Sequence, residues 1–94
     1  MPIIATIIRD QLKTIDAMAL WAWGAKDMIA LEDGLQFKSS GMVNWKGIVS
    51  IRLNGKDLYD VEFGRVRKLE YKSVKKVNDV FAEDLVNVIE LQVG

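Results

Sequence analysis

Three carboxylates stand close together in the segment IRLNGKDLYDVEFG, residues 51–64: Asp57, Asp60 and Glu62. Three oxygen donors of this type could hold Mg2+ or Ca2+. On a strand, however, side chains at i and i+2 stand roughly 6 to 7 Å apart, and no dense acidic loop elsewhere supplies further ligands. Acids that alternate with Tyr59, Val61 and Phe63 are what a strand with one wet face requires. Arg52 on the neighbouring strand shares that face and is expected to form a cross-strand ion pair with them. The expectation is a solvated face, with no metal, no cofactor and no catalytic residue.

The chain contains no His and no Cys. A Ser-His or Cys-His nucleophile is therefore excluded, as are zinc ligation by these residues and any disulfide. An enzyme would need a carboxylate or lysine mechanism, and no such constellation is visible. The expectation is a protein that is not an enzyme.

Two groups of residues suit binding instead. RVRKLEYKSVKK, residues 65–76, holds six basic residues and one acid, a local net charge of +5. Arg65, Arg67, Lys68, Lys72, Lys75 and Lys76, interleaved with Tyr71, are the residue types a nucleic-acid surface uses. Against this, the residues that follow carry only acids, Asp79, Glu83, Asp84 and Glu90. Folding back, they could neutralise the run, and lysines also blunt a sheet edge. The second group is Trp21, Trp23 and Trp45. Trp is enriched at interfaces and also fills cores, and Trp21 and Trp23 together overfill a thin core. The favoured partner-binding surface combines Trp21, Trp23 and Trp45 with Lys46 and the glycine-bounded segment SSGMVNWKG, read as a polar loop.

The elements that must position these residues follow from periodicity. Ile4, Ile7, Ile8, Leu12 and Ile15 recur at helical spacing and predict a helix over 3–14. Asp16 to Trp23 could extend the helix or form a strand with two apolar faces, ended by Gly24 either way; the strand is the preferred reading. Met28–Leu31 and Leu35–Lys38 flank Glu32-Asp33-Gly34, a hairpin signal. Ile48–Leu53 and Asp57–Phe63 form a second hairpin. A two-residue Asn54-Gly55 turn would face Tyr59, Val61 and Phe63 away from the core, because a one-residue slip flips every side chain. An odd loop of Leu53, Asn54 and Gly55 cures this, pairing Arg52 with Lys56 and Val49 with Tyr59 and placing Gly55 in the left-handed position. Arg65–Leu69 and Tyr71–Val74 extend the sheet. Asn78 or Asp79 caps a last helix over 79–91, with Val77, Val80, Phe81, Leu85, Val88 and Ile89 as its apolar stripe. The predicted fold is one α+β domain spanning 1–94: an antiparallel sheet of four to five short strands with a helix from each terminus packed on it.

The 94 residues include 13 basic and 13 acidic ones, for no net charge. That argues against indiscriminate DNA binding and permits self-association. The apolar start MPIIATIIRDQLK is interrupted by Arg9 and Asp10, so neither a signal peptide nor a membrane span is expected, and the expected location is cytoplasmic.

WGAKDMIALEDGLQFK, IVSIRLNGKDLYDVEFGRVRKLEYK and NDVFAEDLVNVI together resemble a family of small phage and prophage proteins. The shared pattern is Gly-Ala-Lys, then Gly-Leu-x-Phe, then Leu-Asn-x-x-Asp-x-Tyr-Asp-x-Glu-Phe. It covers roughly residues 18–89, and its most specific part is 53–63. The chain departs from it at LKTIDAMAL, where the family has a glycine-containing break. The resemblance implies a mobile-element origin and a place in the host cytoplasm. Proteins of this kind are often inhibitors or adaptors acting on a host protein, so a host protein, addressed by an anti-defence inhibitor, is the expected partner. The alternatives are a nucleic-acid-binding accessory domain using the basic segment and a self-assembling phage structural component.

Overall fold

The structure is a computed structural model that describes residues 3–15, 18, 22–40 and 46–93. For Ile3, Ser40, Lys46 and Arg67 the description covers the backbone alone. Helix α1 (Ile3–Ile15) is followed by strands β1 (Ala25–Leu31), β2 (Gly34–Ser40), β3 (Lys46–Leu53), β4 (Tyr59–Arg67) and β5 (Glu70–Val80). A 3-10 turn (Ala82–Asp84) leads into helix α2 (Leu85–Val93). The strands lie side by side in chain order, every pair antiparallel. This is the α+β arrangement that the alternating patterns predict.

Alternation decides which face is dry. Leu35 and Phe37 on β2, Val49 and Ile51 on β3, and Tyr59, Val61 and Phe63 on β4 are buried together beneath the helices. From α1 the core receives Ala5, Ile8 and Leu12, and from α2 it receives Leu85, Val86, Ile89 and Val93. Spacings of three and four place each set along one helix face. Ile7 and Ile15 belong to the predicted stripe of α1, yet each remains 44% exposed. The buried line runs through Ala5 instead, whose small side chain lets the helix sit close to the sheet. The Tyr59 hydroxyl donates to Gln11 Oε1 at 2.8 Å and ties α1 to β4.

Four local expectations are corrected. Asp16–Trp23, where a strand is preferred over a helical extension, lies partly outside the described residues. Where described it is a helical turn: the Ala22 N–H donates to the Met18 carbonyl at 2.8 Å. Gly24, at φ 63°, terminates it in the left-handed conformation glycine tolerates. In SSGMVNWKG, both described ends are strand, pairing Ser39 with Gly47 and Ser40 with Lys46; residues 41–45 lie outside the described residues.

The β3–β4 register places Val49 opposite Phe63, Ile51 opposite Val61 and Leu53 opposite Tyr59. The predicted inward face is therefore right, but the loop has five residues, 54–58, instead of three. Asn54 explains this. Its side-chain oxygen accepts the N–H groups of Lys56 at 2.8 Å and Leu58 at 3.2 Å, an Asx-type closure that lengthens the turn. The left-handed residue is Asp57, at φ 60°, and not Gly55.

The last helix begins later than predicted, because β5 continues to Val80, which pairs with Tyr59. Asp79 is not an N-cap. It sits at φ 58° in a strand irregularity, and its N–H is given to Asp60. Glu83 and Asp84 do stand in the first turn of the helical segment, where its dipole favours acids.

Candidate functional site

The sheet has one covered face and one face without helices. On the uncovered face of β4, Asp60 and Glu62 each have a structural partner. Asp60 accepts from Asn54 Nδ2 and from the Asp79 N–H, both at 3.1 Å. The Asn54 bond, then the backbone bond, hold its carboxyl below the ordinary value. Glu62 accepts the Tyr71 hydroxyl at 2.6 Å. Asp57 sits away from both, exposed in the 54–58 loop. Among the described residues no group of three His, Cys, Asp or Glu is placed to hold a metal ion. Arg52 stands opposite Asp60 in register, but its ion pair is with Asp33 at 2.7 Å, in the β1–β2 turn and not on β4 as predicted.

The tryptophan surface is corrected where it is described. Trp23 is 0% exposed. Its ring stacks on Phe37 with centroids 6.2 Å apart and planes 3° from parallel. Its indole N–H donates to Glu90 on α2 at 2.5 Å, and its carbonyl accepts the Ser39 hydroxyl at 3.0 Å. Trp23 thus joins the segment before β1 to β2 and α2. It offers no surface, and Trp23→Ala would empty the core instead of probing a partner. Trp21 and Trp45 lie outside the described residues, and Lys46 opens β3.

The basic run becomes one side and the tip of a hairpin. The last β3–β4 pair is Ile48 with Gly64, whereas β4 and β5 stay paired beyond it through Arg65–Lys72, Val66–Tyr71 and Arg67–Glu70. The β4–β5 ribbon therefore leaves β3 after Gly64 and runs three more residues per strand unpaired with it, on the order of 10 Å, while β3 itself continues back to Lys46 in pairing with β2. Arg65 faces Lys72 directly, and Lys75 stands opposite Phe63 on the same side of the ribbon. Lys68 occupies the turn, and Lys76 lies on the other side, opposite Glu62. Two of the acids that follow the run are engaged elsewhere: Asp79 pairs with Lys56 at 3.3 Å and Glu90 takes the Trp23 indole. Among the described residues, no ion pair involves Lys68, Lys72, Lys75 or Lys76.

A cavity of about 620 Å³ opens at the base of the ribbon. Lys26, Lys38 and Arg65 line it against a single carboxylate, Asp27, with apolar Ile48 and Val66. Lys38 bridges to Asp27 at 3.6 Å. Lys26 and Lys38 were not legible as site residues, because only the β1–β2 pairing, which sets them opposite each other, brings them beside Arg65. Val66, Leu69 and Val74 add exposed apolar surface to the same ribbon.

Tyr71 has a structural role here. Its ring lies over Gly64, where an added Cβ would stand 2.3 Å from ring atoms. Burial there, then the bond to Glu62, pushes its phenol up to about 12.

No helix among the described residues is long and apolar enough to cross a membrane. Comparison with protein-family models, with curated proteins and with solved structures finds no match.

Proposed function

We propose that this chain is a non-catalytic binding module that docks on an acidic surface of a host protein, as a phage or mobile-element accessory protein. An inhibitor of a host defence protein is the sharpest form of this reading. The observation that carries it is the end of the β4–β5 ribbon that separates from β3, on which exposed Lys68, Lys72 and Lys75 are mixed with exposed Val66, Leu69 and Val74. Cations bordering apolar side chains complement a protein surface of opposite charge. The resemblance of residues 53–63 to small phage proteins supports the same class.

Nucleic acid is disfavoured by Tyr71. The residue is 46% exposed, but its ring lies over Gly64 with its hydroxyl bonded to Glu62, so a base or phosphate approaching it would meet a carboxylate. Asp60 and Glu62 also place negative charge on that face of the sheet.

The test is affinity capture by the tagged chain from bacterial lysate, with and without nuclease. The expected result is a stoichiometric protein that survives nuclease, elutes as salt is raised, and is lost with Lys72→Glu/Lys75→Glu. Nucleic acid before nuclease and nothing after it would overturn the reading in favour of the basic segment as a phosphate surface.

A further inference from the structure

The turn at the tip of the ribbon is built from unsuitable residues. Arg67 pairs with Glu70, so Lys68 and Leu69 form a two-residue hairpin loop. Both have positive φ, 51° and 67°, the signature of a type I′ turn. That turn strongly prefers Asn-Gly, because a Cβ at positive φ is crowded by its own backbone. Lys-Leu is a poor choice, and leucine is the poorer half of it. Nor does Leu69 recover the cost by packing, since it is 99% exposed. An exposed leucine alone means little. An exposed leucine held where glycine would be more stable, at the tip of a cationic ribbon that has separated from β3, needs a use outside the chain.

We infer that Leu69 is the anchor of the interface, inserting into an apolar pocket of the partner protein whose rim carries carboxylates that meet Lys68 and Lys72. The inference rests on the protein-binding reading above and names its contact. Charge complementarity selects the occupant: Lys68 precedes Leu69, and Lys72 follows it within the ribbon. Glu70, the immediate neighbour of Leu69, repels phosphate and carboxylate alike, so the acids of the rim meet Lys68 and Lys72 and leave exposed Glu70 to solvent. A strained turn that presents its side chain ready for contact also lowers the ordering cost of binding.

The experiment separates strain from contact. Lys68→Asn/Leu69→Gly installs the preferred turn and should raise the thermal midpoint by about 5 °C or more. The same variant should capture at least about tenfold less of the protein that the unmodified chain retains from nuclease-treated bacterial lysate. Leu69→Ala should lose capture similarly while melting close to the unmodified chain. A midpoint that does not rise would overturn the strain. Capture within about twofold of the unmodified chain in both variants would overturn the anchor, while leaving the protein-binding reading in place. If the unmodified chain retains no protein, that reading falls, and the anchor falls with it.

Discussion

The two ends of the sheet are built on opposite principles. At one end, the β1–β2 turn and the β3–β4 loop are fastened to their surroundings. Gly34 lies so close to β3 that an added Cβ would stand 1.9 Å from the Ile51 carbonyl oxygen. The Leu53 N–H donates to the Asp33 carbonyl at 2.7 Å, and Arg52 bridges to Asp33. Asn54 donates to both Asp60 and Asp79, at 3.1 and 2.9 Å, and Lys56 reaches Asp79. At the other end the β4–β5 ribbon separates from β3, carries like charges opposite one another at Arg65 and Lys72, and turns through two non-glycine residues at positive φ. One end spends its polar groups on itself. Among the described residues, the other leaves lysines and a leucine to the solvent, and the docking function proposed above is assigned to that end.

The contrast can be broken most severely at the fastened end. Gly34→Ala forces a methyl group into the Ile51 carbonyl and should cost at least about 3 kcal/mol, read as a lower urea midpoint. The exposed tip offers no comparable sensitivity. Asn54→Ala removes two loop closures and two donors to carboxylates, and a loss of about 2 to 3 kcal/mol is expected. The same variant should be less sensitive to acid. Asp60 is held below its ordinary value of 3.8, so its contribution is present above that pH and disappears as pH falls through the lowered value. Without Asn54, that loss on acid titration should shrink; an unchanged acid limb would show that Asp60 is stabilised elsewhere.

Tyr71, where the ribbon leaves the body of the sheet, is a subtler probe. Its phenol is held at about 12 against an ordinary 10.0. The folded chain therefore keeps this proton more tightly. The resulting stability is complete below pH 10 and is lost as pH rises through 12. Tyr71→Phe should melt with a weaker dependence on pH between 10 and 12 than the unmodified chain, read by circular dichroism. The smallest effect belongs to the ribbon itself. Lys72→Glu replaces a like charge opposite Arg65 with an opposite one and should stabilise the fold by about 0.2 to 1 kcal/mol, while weakening capture of the partner. A variant that stabilises but binds less sharpens the contrast; one that destabilises would mean that Lys72 supports the fold.

The value of the sequence differs along the chain for a physical reason. In β4, the alternation of Tyr59, Val61 and Phe63 with Asp60 and Glu62 was enough to orient the strand, because a period of two leaves only two faces to choose between. It also supplied the correct parity of the β3–β4 pairing. It did not supply the loop length. Registers that differ by two pairs bury the same face, and the choice among them lies with Asn54, which reaches Asp79, 25 residues away.

Trp23 teaches the same lesson about the site. Trp in a thin domain fits either a core or an interface, and composition does not separate the two. Glu90, 67 residues later, receives its indole N–H, and Phe37 receives its ring. Lys26, Lys38 and Arg65 likewise have nothing in their sequence spacing to link them; three strands bring them to one cavity. The sequence by itself determined the absence of His and Cys chemistry, the α+β class, the inward face of β4 and the basic character of residues 65–76. Only the tertiary structure decided that the basic run is a ribbon that separates from β3, that its turn sits at positive φ, and that Trp23 is core. Side-chain patterning reports a local preference for water or for the interior, whereas register, strand separation and the identity of a partner depend on contacts between residues far apart in the chain.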